Sequence, residues 1–217
     1  MEQYKYIFFD FDGTICASAP GIIDSVVYAL NEQDIEIPDE KILLKFIGPP
    51  LAESFKNILG MDGEQSAESI KKFRAYFREK GIWNSSMYPG IPDTLNRLKN
   101  AGKRLVVATS KPDVFANQLL ERFGILHYFD FVSGSLMDSK RTTKREVIEY
   151  ALQQLGIEDT ASVLMVGDRC FDVEGAKSFG IDCMGVLFGY GSEEELKTSG
   201  AKYIAATTSD VADLILS

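Results

Sequence analysis

Tyr4-Lys5-Tyr6-Ile7-Phe8-Phe9-Asp10-Phe11-Asp12-Gly13-Thr14 is the stretch that decides how the rest of the chain is read. Apart from Lys5, its first six residues are aromatic or β-branched, and the run stops at an acid and a glycine. That pattern predicts a short buried strand over 4–9 with a loop at its carboxyl end. Four similar runs follow, at 104–108, 129–133, 163–166 and 183–187. Between them apolar residues recur at helical spacing: Ile91, Leu95 and Leu98; Val114, Phe115, Leu119 and Leu120; Val147, Ile148, Ala151, Leu152 and Leu155. Gly102, Gly124 and Gly156 close these stretches as helix C-caps. Strands alternating with helices predict an α/β fold, a Rossmann-like parallel sheet with helices on both faces.

One region breaks the alternation. Residues 18–88 show no strand pattern but four helical ones, at 22–30, 42–46, 51–59 and 70–77. Pro38, Gly48-Pro49-Pro50, Gly60 and Gly81 separate them. The reading is an inserted α-helical cap domain at 18–88, with a core domain made of 1–17 and 89–217. The cap is expected to act as a lid over the Asp10–Thr14 loop, its turn at Phe46-Ile47-Gly48-Pro49-Pro50 facing the substrate.

Composition narrows the functional classes. Of 217 residues, 45% are hydrophobic, with 14 Phe and 9 Tyr, which is enough for a sizeable core and too apolar for a disordered chain. The net charge of −9 excludes a broad basic surface for a nucleic-acid polymer, so a bound phosphate must meet local cations. Cys16, Cys170 and Cys183 form an odd set without CxxC spacing, which suits free thiols in a reducing compartment. His127 is the single histidine, which argues against a histidine triad or a zinc site. The first residues lack a signal-peptide pattern, and no window reaches the ~18 apolar residues of a membrane span. The expectation is a cytoplasmic protein, monomer or weak dimer.

The chemistry gathers at the strand ends, where open α/β sheets bind ligands. Asp10 and Asp12 stand two residues apart there. Two carboxylates so close repel each other without a countercharge. A divalent cation supplies one, and oxygen ligands suit Mg²⁺. Thr109-Ser110-Lys111-Pro112 ends the second strand, and the Thr109 and Ser110 hydroxyls are candidate phosphate contacts, or simply helix caps. Lys144 opens a helix, where its charge opposes the helix dipole, so it belongs either in solvent or against an anion. Lys140, Arg141 and Arg145 are its rivals. The run ending Gly167-Asp168 delivers Asp168 to the same edge as Asp10, and Asp172 falls one helical turn further along. Gly189-Tyr190-Gly191 reads as a structural turn, Glu193–Glu195 as a charged helix start, and Cys16 and Cys170 as packing residues.

Taken together, and in this order, the acidic DxDGT loop, the hydroxyl, the lysine and the GDxxxD segment resemble the haloacid dehalogenase superfamily of phosphohydrolases. The likeness covers essentially the whole chain and is greatest to the phosphoglycolate phosphatase-like branch with a helical cap. It implies an Mg²⁺-dependent phosphatase that hydrolyses small-molecule phosphate monoesters through an aspartyl-phosphate intermediate. It further implies that Asp10 is nucleophile and metal ligand. Asp12 would be general acid/base and give its main-chain carbonyl to the metal. Thr109 and Lys144 would hold the phosphate, Asp168 would bind metal, and Asp172 would support the metal ligands. The proline that follows this lysine in many members is missing, which keeps Lys140 as an alternative to Lys144. A sugar phosphomutase uses the same motifs. A phospho-receiver signalling domain uses similar groups but is much shorter and lacks both the cap and the second aspartate. A catalytically silent regulator would lack a motif residue, and none is missing. Phosphoglycolate, nucleoside monophosphates (as for a 5'-nucleotidase) and sugar phosphates are the candidate substrates.

Overall fold

The structure is a computed structural model that describes residues 1, 3–138 and 140–217. The chain forms two compact units, one of Met1–Cys16 with Met87–Ser217 and one of Ala17–Ser86. It begins with strand β1 (Tyr6–Phe9), passes through β2 (Cys16–Ala17), and runs along helices α1 (Ala19–Asn31), α2 (Glu40–Leu43), α3 (Leu51–Leu59) and α4 (Gly63–Glu79). It returns through β3 (Ser86–Met87). Then come α5 (Ile91–Asn100), β4 (Arg104–Pro112), α6 (Asp113–Arg122), β5 (Phe131–Ser135), α7 (Lys144–Leu155), β6 (Val163–Gly167), α8 (Cys170–Lys177), β7 (Asp182–Val186), α9 (Glu193–Ser199), β8 (Tyr203–Ala205) and α10 (Thr208–Leu216).

Within the first unit six strands form one parallel sheet in the order β5-β4-β1-β6-β7-β8. The chain winds outward from β1 through β4 to β5, then crosses back to place β6 on the other side of β1. This reversal makes a doubly wound sheet, with a switch point where β1 meets β6. Phe8 pairs with Val106 on one side and Met165 on the other. The central strands are sealed from water throughout: Ile7, Phe8, Leu105–Ala108 and Val163–Val166 have no exposed surface. That explains why they read as unbroken apolar runs rather than alternating ones. Side chains still alternate between faces, and Phe8, Val106 and Met165 share a core cluster with Val147, Ile148 and Ala151 of α7 and with Val173 and Ala176 of α8. Helices α5 and α10 pack together, joined by a hydrogen bond from Thr94 Oγ1 to Thr208 O and an Arg97–Asp213 ion pair.

The sequence reading needs three adjustments here. β4 continues to Pro112, so Thr109, Ser110 and Lys111 belong to the strand that was expected over 104–108 and do not merely follow it. The strands expected at 129–133 and 183–187 lie at Phe131–Ser135 and Asp182–Val186. The three-residue strand β8 was not expected, because a run that short carries no periodic signal.

The second unit is helical between β2 and β3. α1 approaches the 3-10 turn Gly81–Trp83 so closely that a Cβ on Gly21 would strike the Gly81 carbonyl. Tyr28 and Tyr76 stack at 4.7 Å between centroids. Phe46 packs edge-on to Phe55 at 5.1 Å and is buried. Its ring therefore belongs to the core of its own unit, and the expectation that it is displayed at the turn is corrected. Among the described residues no helix is long and apolar enough to cross a membrane.

Candidate active site

The site lies in the first unit, at the carboxyl ends of β1, β4 and β6. Asp10 is still part of the sheet, its amide donating to Val166 O at 2.9 Å. The chain then turns sharply. Phe11 O accepts from the amides of Ile15 at 2.9 Å and Cys16 at 2.8 Å, while buried Phe11 and Ile15 anchor the turn. Gly13 has φ +86°, and a Cβ there would collide with the Asp168 carboxylate. Glycine is required at this position both by conformation and by space.

Asp168 follows β6 and has no exposed surface. Its Oδ2 accepts from the Tyr190 amide at 2.7 Å, and its Oδ1 has no hydrogen-bond partner. Cβ atoms on Gly189 and Gly191 would both collide with Asp168. The Gly189-Tyr190-Gly191 segment, read from sequence as a plain turn, therefore wraps a buried acid. The available signal was a pair of glycines flanking one residue just beyond a strand. Asp172 sits in the first turn of α8, where Oδ2 accepts from the Arg169 amide at 3.1 Å. Glu195 was read as part of a charged helix start. It instead joins α9 to the start of α8, accepting from Arg169 Nε at 2.8 Å and from the Cys170 amide at 2.9 Å. Burial, reinforced by Glu195, pushes the Cys170 thiol up to about 11, so it is not a ready nucleophile.

Lys144 is the central cation. Its Nζ lies 2.5 Å from Asp10 Oδ1 and 2.8 Å from Asp172 Oδ1, and it donates to Ala108 O at 3.0 Å. The capping box between Thr143 and Glu146 fixes the start of α7, which sets where Lys144 begins. Gly175 leaves room for the Lys144 stem, since a Cβ there would crowd its Cγ at 2.7 Å. Lys140 is exposed and 3.2 Å from Asp138. Of the two candidate lysines, only Lys144 stands among the acids.

Asp10, Asp168 and Asp172 each bring a carboxylate oxygen within 4.8 Å of the others. Three buried acids thus face one lysine. Burial, outweighing the pull of Lys144, pushes Asp10 up to about 6, with Asp172 adding to the rise. Burial and then Asp172 and Asp10 hold Asp168 well above the usual carboxylate range. For Lys144 burial works downward, but Asp10 and Asp172 prevail and raise it, which keeps the ammonium charged. The cluster is short of positive charge and holds an unpartnered, fully buried oxygen. Hard oxygen donors in such a deficit fit a divalent cation.

The other predicted residues lie alongside. Thr109 is buried in the last part of β4, three residues before its end, its Oγ1 accepting from the Lys111 amide at 3.2 Å, and Ser110 is partly exposed next to it. The Asp12 carboxylate does not join the acid cluster, because Lys111 Nζ holds it at 2.9 and 3.3 Å. Sequence reasoning missed Lys111. It stood in the quoted Thr-Ser-Lys-Pro run, but nothing local linked it to an acid 99 positions away.

A doubly wound sheet with acids, a hydroxyl and a lysine at its switch point marks an α/β enzyme that handles anionic substrates. The model of the haloacid dehalogenase-like hydrolases matches residues 7–186, and the chain belongs to that family. It is 40% identical to a 5'-nucleotidase of Pseudomonas aeruginosa over 90% of this chain and 88% of that one. It is 37% identical to a protein named Tyrosine-protein kinase PtkA of Mycobacterium tuberculosis, over 96% of this chain and 71% of the other. A crystal structure described as a predicted phosphatase from Clostridium acetobutylicum matches with a TM-score of 0.95 and 45% identity, covering 98% of both chains. Within its family the chain is a phosphoric monoester hydrolase.

Proposed function

We propose that the chain is an Mg²⁺-dependent phosphatase of small phosphate monoesters that works through an aspartyl-phosphate on Asp10. The observation that carries this reading is the buried trio of Asp10, Asp168 and Asp172, two of them paired with Lys144 and the third, Asp168, with an unpartnered Oδ1. Asp10 and Asp168, with the Asp12 main-chain carbonyl, would hold the cation. When bound, it would offset the repulsion between a phosphate dianion and the Asp10 carboxylate. Asp172 would support the site by steering Lys144 and capping α8.

The remaining chemistry belongs to the chain's own groups. Thr109 and Lys144 bind phosphate oxygens, with Ser110 beside them. An Asp10 oxygen forms a bond to phosphorus while the ester P–O bond breaks, and Asp12 gives the leaving oxygen a proton. Water then gives its proton to Asp12 and bonds to phosphorus, and the electron pair of the P–O bond to Asp10 returns to that carboxylate. The phosphoryl group is spread in charge rather than sharply nucleophile-bound in such transfers, so positioning accounts for most of the rate. The segment Ala17–Ser86 is the cap, and selection among substrates falls to it. Three free cysteines accord with a cytoplasmic enzyme. A nucleoside 5'-monophosphate is the favoured substrate class, because the relative named 5'-nucleotidase is 40% identical while one named phosphoglycolate phosphatase, of Neisseria gonorrhoeae, is 28% identical.

A panel of phosphate esters assayed with Mg²⁺ tests this. AMP should release inorganic phosphate with the highest kcat/KM, ahead of phosphoglycolate and glucose phosphates. Isomerised sugar phosphate without phosphate release would replace the reading with a phosphomutase.

A further inference from the structure

We infer that Lys111 is a positioning residue that fixes the Asp12 carboxylate for hydrolysis of the aspartyl-phosphate. The inference rests on the reading of Asp12 as the acid/base group. Lys111 Nζ engages both Asp12 oxygens, at 2.9 and 3.3 Å, with the two side chains only 4% and 13% exposed. A single contact would let the carboxylate rotate about its Cβ–Cγ bond. Contact to both oxygens fixes its plane as well as its place.

The lysine is itself held. Its amide donates to Thr109 Oγ1 at 3.2 Å, and its Nζ lies 5.6 Å from the centre of the buried Phe11 ring. Strand β5 passes so close that a Cβ on Gly134 would press on the Lys111 carbonyl. Two of these contacts fix the Lys111 main chain and the third flanks its ammonium, so the side chain starts from a fixed point and ends beside a buried ring. Asp10 leans on Lys144 and Asp12 on Lys111, so each of two acids two residues apart has its own cation. Lys111 is thereby kept on the acid that moves protons, not on the acid that bonds to phosphorus.

The step served is the second one. A water proton passes to Asp12, the water oxygen bonds to phosphorus, and the P–O bond to Asp10 breaks with its electron pair returning to Asp10. A misplaced Asp12 slows this step. With p-nitrophenyl phosphate the first step needs no proton donor, because nitrophenolate leaves as the anion. The phosphoenzyme should then accumulate.

The test is rapid-mixing kinetics on wild type, D12N, K111M and K111R, read as burst amplitude, kcat and KM. D12N and K111M should both give a nitrophenol burst approaching one per enzyme. Steady turnover in K111M should be lower on the order of 10²-fold, as for a group displaced by about an ångström. K111R, which keeps the charge, should recover much of it. A burst in D12N without one in K111M would overturn the role of Lys111 alone. A raised KM without a burst in K111M would make it a phosphate-holding group instead, which also overturns the inference. Unimpaired turnover in D12N would remove the Asp12 reading itself. Should K111M fail to fold by circular dichroism, K111Q carries the same comparison.

Discussion

Two lysine–acid groupings sit side by side at one sheet edge and have opposite balance. Lys144 faces Asp10 and Asp172, with Asp168 close by, so negative charge is in excess. Lys111 engages both oxygens of Asp12, one cation to one carboxylate, and that pair is balanced. Both lysines are buried, both acids on the turn are two residues apart, and the residue types are the same. The difference lies in the count. The grouping in deficit has a use for a bound cation, whereas the balanced pair has none and can hold a carboxylate steady for proton transfer. A third pairing, Lys99 with Asp130 at 3.0 Å, is partly exposed to solvent and joins two elements without chemistry.

The largest expected effect breaks the unbalanced grouping. D10N should lower kcat by at least about three orders of magnitude, because it removes the nucleophile while keeping the shape. Circular dichroism should show an intact fold, and retention of more than a few per cent of activity would contradict the assignment. Next comes metal removal. Chelation should abolish turnover, Mg²⁺ should restore it, and Ca²⁺ should restore it poorly, since calcium takes more ligands at longer bonds. Full activity in chelator would end the metal role.

A third effect separates stability from activity. In chelator, D168N should melt at a higher temperature than wild type, because one of three mutually repelling buried carboxylates has gone. Added Mg²⁺ should raise the melting temperature of wild type and leave D168N nearly unmoved. A lower melting temperature for D168N in chelator would mean the acids are not repelling. The balanced pair offers no such gain, and K111M should be neutral or destabilising under the same conditions.

The smallest effect lies at the surface pair. Burial acts upward on Asp130, but Lys99, the Leu105 amide and Arg104 together hold its carboxyl below the usual range. A folded pKa below the unfolded one gives stability that is present above the unfolded value and lost as pH falls through the folded one. D130N should therefore cost under about 1 kcal/mol at pH 7, solvent screening included. Its difference from wild type should shrink in denaturant titrations below about pH 4. A gap that widened with acid would have the wrong sign.

Legibility from sequence followed local chemistry. The buried strands were readable because β1, β4 and β6 are covered on both faces and so carry unbroken apolar runs. Asp10, Asp168, Asp172 and Lys144 were nameable because each stands beside a strand end or helix start. Lys111 was not, since its partner is fixed by the pairing of β1 with β4 and by nothing in its neighbourhood. The Gly189–Gly191 wrap was missed for a related reason. A glycine required for space looks in sequence like one required for a turn, and only the placement of Asp168 tells them apart. Phe46 shows the reverse error, an aromatic beside Gly-Pro-Pro that looked displayed but packs inward on Phe55.

The central claim is that Asp10 becomes covalently phosphorylated. Rapid acid quench of the enzyme turning over substrate with Mg²⁺, followed by peptide mass spectrometry, addresses it directly. The account predicts a phosphorylated peptide containing Asp10, labile to hydroxylamine as an acyl phosphate is, and absent from D10N. A phosphoryl group on any other residue, or none on D12N quenched while its slowed second step should let the phosphoenzyme accumulate, would contradict it.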